Sequence, residues 1–157
     1  MSVDPNYLAP CGLYCGVCAI MYAARNNDEK FKERLVGVYK GKLPGSADLS
    51  AKDIYCEGCL SDVKFRYCEK CEIRDCTKER GYTGCHQCAD FPCSIIDAFP
   101  VPVGKKVILR GIPHWRLVGT ERWVADEEAR YMCPSCGNKL FRGAKRCNKC
   151  KSEVDLD

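Results

Sequence analysis

The sequence lacks any long apolar run. No segment approaches the roughly 18 apolar residues that a membrane-spanning helix needs, so no transmembrane helix is expected. The opening stretch MSVDPNYLAP also lacks the basic start and the apolar core of a secretory signal. These two absences disfavour the disulfide framework of a small secreted protein and favour a reducing, cytoplasmic location.

Large apolar side chains are also scarce once cysteine is set aside. Hydrophobic residues make up 46% of the 157 residues, but that share includes 15 cysteines. A chain with so modest an apolar supply generally needs cross-links to offset the entropy lost on folding. Because the number of cysteines is odd and many are only two residues apart, the sequence favours metal ligation over disulfides.

No recognisable catalytic set is present. The sequence has no Ser/His/Asp arrangement, no phosphate-binding glycine loop and no paired-carboxylate signature. Cys93 follows Pro92 near an expected helix start, where a thiol pKa can fall, but the same placement suits a metal ligand. The sequence therefore favours a non-enzymatic protein, and an enzymatic role is left open.

Four cysteines near the C-terminus form two Cys-x2-Cys pairs separated by ten residues. Each pair is expected to place two sulfurs on one side of a tight turn, and a β-hairpin would join the turns around one tetrahedral zinc ion. Leu140 and Phe141 would lie on that hairpin. The sequence thus predicts a closed, structural zinc ribbon, with rubredoxin-type iron as the minor alternative. Its ligands would be Cys133, Cys136, Cys147 and Cys150.

A larger array of eleven cysteines precedes this ribbon. It opens with a Cys-x3-Cys-x2-Cys motif, and the stretches CEKCEIRDC and CHQCADFPC repeat the pattern Cys-x2-Cys-x4-Cys. Interleaved pairs of this kind are typical of zinc modules, and an iron–sulfur cluster is the alternative because thiolates suit both metals. The candidate ligands are Cys11, Cys15, Cys18, Cys56, Cys59, Cys68, Cys71, Cys76, Cys85, Cys88 and Cys93.

The number of sulfurs leaves their pairing open. Three tetrahedral sites need twelve ligands, and His86, an acidic side chain or water could supply the twelfth. Alternatively, two four-sulfur sites would leave three cysteines free and buried. The opening motif also matches radical-SAM enzymes, but the chain is too short for the barrel of about 200 residues that they require.

Helical periodicity predicts two helices early in the chain, one through Ile20 and Met21 and one through Phe31 and Leu35. The intervening stretch Asn26–Asn27–Asp28 can interrupt a helix or cap the second one.

Residues 56–93 are poor in aliphatic side chains and are expected to form loops and single turns. A helix should follow, with Asp90 as its cap and Pro92 at its first position. Trp115 and Trp123 are expected to anchor later helices to the cysteine-rich part.

The sequence as a whole predicts three parts. Residues 1–100 should form a small metal-stapled module that is α-rich, cysteine-rich and partly irregular. Residues 101–131 should form a helical linker, and residues 132–157 a β-hairpin zinc ribbon.

A protein partner is the favoured functional expectation. Residues 133–151 carry six basic residues and no acidic ones, which indicates either a phosphate-binding face or a solvated surface that balances a zinc–thiolate site. The formal charge of +4 counts every cysteine as neutral, so it is no argument for nucleic acid. We expect a zinc-binding structural or interaction protein, with an iron–sulfur redox protein and a nucleic-acid-binding regulator as alternatives.

The ordered motifs CGLYCGVCAIMYA, CEGC and CEIRDCTKERGYTGCHQCADFPCSII resemble a family of short bacterial and archaeal cysteine-rich proteins. The family is described only as a domain of unknown function, number thirty-seven ninety-five. The resemblance covers about residues 8–100, and ERWVADEEARYMCPSCG is similar to a zinc-ribbon extension in some members. It implies a shared cysteine-bound metal module and no established activity. All eleven cysteines match except Cys68, the weakest match, and ten shared sulfurs would favour two four-sulfur sites.

Overall fold

Residues 2–157, the part of the chain that the computed structural model describes, form seven α-helices joined by loops and short 3₁₀ turns. None of these helices has the length and apolar character that a membrane crossing requires. The helices are α1 (Ala19–Arg25), α2 (Glu29–Tyr39), α3 (Arg66–Glu69), α4 (Glu72–Glu79), α5 (Ser94–Asp97), α6 (Pro102–Val118) and α7 (Thr120–Arg130). The 3₁₀ turns are Pro5–Tyr7, Cys15–Val17, Ala51–Asp53 and Cys85–Gln87.

Helices α1 and α2 are separated where the sequence predicts a break. Asn27 adopts a left-handed φ of 47°, which ends the first helix. The Asp28 carboxylate then accepts a hydrogen bond of 3.0 Å from the backbone N–H of Phe31 and caps α2. Phe31 and Leu35 lie on the buried face of α2, so the two helices pack through one apolar stripe.

The main core is built around two tryptophans from successive helices. Trp115 of α6 and Trp123 of α7 are almost fully buried and stack in parallel, with ring centroids 4.0 Å apart. Tyr14 meets Trp123 edge-on at 5.9 Å, which ties the N-terminal loop to α7. The two tryptophans are therefore packing anchors, as the sequence indicates.

The region expected to consist of loops contains more helix than predicted. Helix α4 runs for eight residues. The next helix, α5, begins at Ser94, so its N-cap position is Cys93 and not Asp90, and Pro92 lies before the helix and not at its first position. The Asp90 carboxylate lies 2.9 Å from Nη1 of Arg80 instead. The predicted cap was wrong because the helix begins four residues after Asp90, and the carboxylate pairs with an arginine at the end of α4.

The predicted β-hairpin near the C-terminus was also wrong. Residues 2–157 contain no sheet, and the C-terminal segment has only two isolated antiparallel bridges, Met132↔Lys139 and Arg146↔Glu153. Between the bridges, the backbone N–H of Arg142 donates to the carbonyl oxygen of Val17 at 2.8 Å. The loop backbone thus bonds to the N-terminal part of the protein and not to a second strand, so no continuous ladder forms.

Candidate metal centres

The four C-terminal cysteines converge on one point, which we call the C-terminal site (Cys133, Cys136, Cys147 and Cys150). Their sulfurs all lie within 4.8 Å of one another. The contacts run between the two pairs, at 3.6 Å from Cys133 Sγ to Cys150 Sγ and 3.7 Å from Cys136 Sγ to Cys147 Sγ. Four sulfurs at about 2.3 Å from one tetrahedral zinc ion would lie about 3.8 Å apart. The arrangement can therefore hold a single metal ion.

Two similar turns position these sulfurs. In the first turn, the N–H of Gly137 donates to the carbonyl oxygen of Cys133 at 2.8 Å, with φ of 69° at the glycine. In the second turn, the N–H of Lys151 donates to the carbonyl oxygen of Cys147 at 3.0 Å, with φ of 65° at the lysine. Both turns need a left-handed residue after the second cysteine, a conformation that glycine adopts without strain. The sequence pattern identified these four residues correctly as neighbours.

Apolar packing and hydrogen bonds surround the C-terminal site. Cys133 and Cys147 are buried in a small apolar cluster with Leu140 and Val154. Hydrogen bonds from the Ser152 hydroxyl and backbone N–H lower the pKa of the Cys150 thiol to about 6. These hydrogen bonds thus favour the thiolate of one ligand, and the thiolate is the form that binds a metal ion.

Four of the other eleven cysteines line a cavity of about 190 Å³. We call them the cavity set, and they come from the last turn of α4, the 3₁₀ turn Cys85–Gln87 and the loop before α5. Burial raises the pKa of the Cys85 thiol to about 12, and charge on the other three thiols adds to this effect. The cavity set consists of Cys76, Cys85, Cys88 and Cys93.

The remaining seven cysteines, the N-terminal set, lie in and beside the 3₁₀ turn Cys15–Val17, in the loop that follows residue 55, on α3 and at the N-cap of α4. The backbone N–H of Cys59 donates to Cys15 Sγ at 3.3 Å, which brings two distant parts of the chain together. Burial raises the pKa of the Cys11 thiol to about 12, and the nearby thiols of Cys59 and Cys71 raise it further. The N-terminal set consists of Cys11, Cys15, Cys18, Cys56, Cys59, Cys68 and Cys71.

Sequence reasoning missed two arginines that contact sulfur. Nη1 of Arg74 donates to Cys59 Sγ at 3.6 Å, and Nη1 of Arg80 donates to Cys88 Sγ at 3.5 Å. Arg80 lies four residues after Cys76 on α4, so both face the same side of that helix. This spacing is the sequence signal that could have identified Arg80.

The two histidines have other contacts. The His86 ring stacks on Trp115 with centroids 3.9 Å apart, and burial lowers the His86 pKa. His114 Nε2 lies 2.7 Å from the Asp126 carboxylate. Each histidine is therefore engaged in packing or in a hydrogen bond with a carboxylate.

Comparison with known protein families assigns the chain to one of them. Residues 7–98 match the profile of a family described as "Protein of unknown function (DUF3795)". The match spans more than half of the 157 residues, so the chain belongs to this family, and the resemblance found in the motifs is confirmed. The cavity set and the N-terminal set lie inside the matched region, and the C-terminal site lies outside it. No curated protein and no solved structure matches the chain.

Proposed function

We propose that this protein binds zinc at the C-terminal site and that the ion fastens residues 132–157 to the helices. The observation that carries the proposal is the spacing of the sulfurs, 3.6 and 3.7 Å across the two pairs, which suits a tetrahedral zinc ion. Four thiolates occupy all four positions of such an ion, so no position is open for substrate. The role of the metal is structural, with iron in the same geometry as the minor alternative.

The eleven cysteines of residues 11–93 extend this proposal to the part of the chain shared with the family. We propose that they are metal ligands too, because cysteines from separate parts of the chain come together. Four of them line one cavity, and the backbone N–H of Cys59 donates to Cys15 Sγ at 3.3 Å. A bound cation stabilises the thiolates that crowding otherwise disfavours. On this proposal, metal sites in residues 1–100 and 132–157 flank the helical residues 101–131.

The partner that we propose is another protein. Leu117, near the end of α6, is 83% exposed, and Val38 of α2 is also exposed, so apolar side chains are available on the helices. The alternative of nucleic acid receives less support, because three basic side chains of the C-terminal segment are near carboxylates. These ion pairs are Lys139–Glu128, Lys145–Asp155 and Arg146–Glu153.

Metal analysis of the full chain tests the zinc proposal. Protein purified without oxygen would be examined by native mass spectrometry and elemental analysis, next to the variant Cys147→Ser and the control Lys149→Ala. Lys149 lies in the same turn but is exposed and supplies no ligand. We expect Cys147→Ser to carry one zinc ion fewer than the wild type and Lys149→Ala to carry the same number. Equal zinc content in all three proteins would overturn the proposal.

A further inference from the structure

The cavity set differs from the C-terminal site in the space between its sulfurs. Among residues 2–157, the C-terminal site is the only group of three or more His, Cys, Asp or Glu side chains whose possible ligand atoms all lie within 4.8 Å of one another. The four cysteines of the cavity set instead line, together with nine other residues, a cavity of about 190 Å³. On the same measure of volume, a cavity needs only about 10–15 Å³ to hold one water molecule, so this cavity has room for a group much larger than one ion.

We propose that the cavity set binds an iron–sulfur cluster of the [4Fe–4S] type, with one thiolate on each iron. In such a cluster the cysteine sulfurs are held apart by the inorganic core, because each binds a different metal atom. Four thiolates around a cavity match this requirement, whereas a mononuclear zinc site needs sulfurs about 3.8 Å apart. The inference is independent of the zinc proposed at the C-terminal site.

The wall of the cavity also suits a cluster. Ile73 and Ile96 are buried beside the cysteines and give the cavity an apolar side. On the polar side, Arg80 donates to Cys88 Sγ at 3.5 Å and is held by Asp90 at 2.9 Å. Hydrogen bonds to ligating sulfurs and nearby charge are the means by which proteins set the reduction potential of a cluster. Arg80 is therefore assigned as a positioning residue for this site.

The chain path explains why these four cysteines meet. Cys71 precedes α4 as its N-cap, with an extended backbone, whereas Cys76 lies in the last turn of that helix. Of the two, only Cys76 lines the cavity. Cys88 and Cys93 have the same spacing, but the chain between them is not helical, so both can line one cavity.

The test uses the full chain, purified anaerobically and then incubated with Fe³⁺, sulfide and an excess of a small thiol. For each cluster, two of these thiols are oxidised to one disulfide and supply the two electrons that reduce half of the iron, which gives the 2+ state of the cluster. We expect a brown protein with absorbance near 400 nm, and about four iron and four sulfide for this site. The variants Cys76→Ser and Cys93→Ser should each lose this increment of iron and sulfide. The matched variant Cys150→Ser should keep it, since that cysteine belongs to the C-terminal site.

Two measurements keep the test decisive if the serine variants do not fold. Alkylation of wild-type protein, read by peptide mass spectrometry, should show Cys76, Cys85, Cys88 and Cys93 protected together when iron and sulfide are bound. Arg80→Met should retain the iron and shift the midpoint potential to more negative values, because a positive charge and a hydrogen bond to sulfur are lost.

Three results would overturn the proposal. The first is a colourless wild type that takes up no iron and sulfide under these conditions. The second is iron and absorbance in folded Cys76→Ser and Cys93→Ser that equal those of the wild type. The third is alkylation of the four thiols at the same rate with and without bound iron and sulfide.

Discussion

Phe141 packs against Phe31 with ring centroids 4.6 Å apart and ring planes inclined by 39°. Phe141 lies in the loop between the two cysteine pairs of the C-terminal site, and Phe31 lies in the first turns of α2. Tyr22 of α1 completes this aromatic group, 5.2 Å from Phe141. Phe141 contacts the apolar cluster of the two helices and that of the C-terminal site. Order in the cysteine turns and order in the helices are thus coupled through one side chain.

The first prediction concerns this contact. Phe141→Ala should lower the free energy of unfolding by about 1–3 kcal/mol, because a partly buried aromatic ring and two ring–ring contacts are lost. Urea denaturation followed by circular dichroism measures the change. Leu117→Ala removes an exposed apolar side chain and should change stability by less than about 0.5 kcal/mol. Similar losses of unfolding free energy for Phe141→Ala and Leu117→Ala would contradict the claim that Phe141 couples the C-terminal site to the helices.

The second prediction compares two glycines. A Cβ at Gly84 would lie 3.0 Å from the ring of Trp115 and 2.9 Å from Nδ1 of His86, whereas a Cβ at Gly37 would meet no atom within 4 Å. Gly84→Ala should therefore destabilise the protein by about 1–3 kcal/mol through overpacking. Gly37→Ala should stabilise it by about 0.5–1 kcal/mol, because alanine is the better residue inside α2. Thermal unfolding measures the stability of both variants. If Gly84→Ala were stabilising like Gly37→Ala, the aromatic stack would tolerate a methyl group and the prediction would be wrong.

The third prediction concerns a buried ion pair. Glu127 is 1% exposed, and its carboxylate accepts hydrogen bonds from Arg110 at 2.6 and 3.3 Å. Arg110→Met should cost about 3–5 kcal/mol, because it leaves a buried carboxylate without its partner. Adding Glu127→Leu should restore most of this loss. As a control, Arg122→Met removes an exposed pair with Asp126 and should cost about 0.5 kcal/mol. If urea denaturation showed the same loss of unfolding free energy for Arg110→Met and Arg122→Met, the Arg110–Glu127 pair would not be the buried, stabilising pair described here.

The fourth prediction concerns the two turns of the C-terminal site. Lys151 and Gly137 hold the same left-handed position, where a residue with a Cβ is strained by about 1–2 kcal/mol. Lys151→Gly should raise the melting temperature of the zinc-bound protein, and Gly137→Ala should lower it. A Cβ at Gly137 meets no atom within 4 Å, so the loss would reflect backbone strain alone. Differential scanning calorimetry should show melting-temperature shifts of opposite sign for the two variants. Shifts of the same sign would contradict the claim that both turns hold a left-handed residue at this position.

The sequence predicts those features that depend on local spacing. The break before α2 follows from the cap at Asp28, and the C-terminal site follows from two Cys-x2-Cys turns. Each depends on residues close together in the chain, whose geometry is set by turn and cap chemistry.

The features that the sequence does not predict depend on long-range contacts. The β-hairpin does not form because Arg142 bonds to Val17, 125 residues away in the chain. The sequence does not predict how the cysteines group, because two identical Cys-x4-Cys spacings fold differently. Cys71 and Cys76 span the start and body of α4, whereas Cys88 and Cys93 are joined by a loop. Spacing alone cannot show this difference, since it depends on which backbone groups find partners.

The central claim is that metal–sulfur bonds hold residues 132–157 on the helices, and hydrogen exchange tests it most directly. The zinc-loaded full chain would be compared with the same protein after anaerobic removal of metal by a strong chelator, and again after zinc is restored. We expect the amide of Arg142, which donates to Val17 at 2.8 Å, to be protected with zinc, to exchange rapidly without it, and to recover on reloading. Unchanged protection of that amide, with an unchanged melting temperature after complete removal of metal, would contradict the claim.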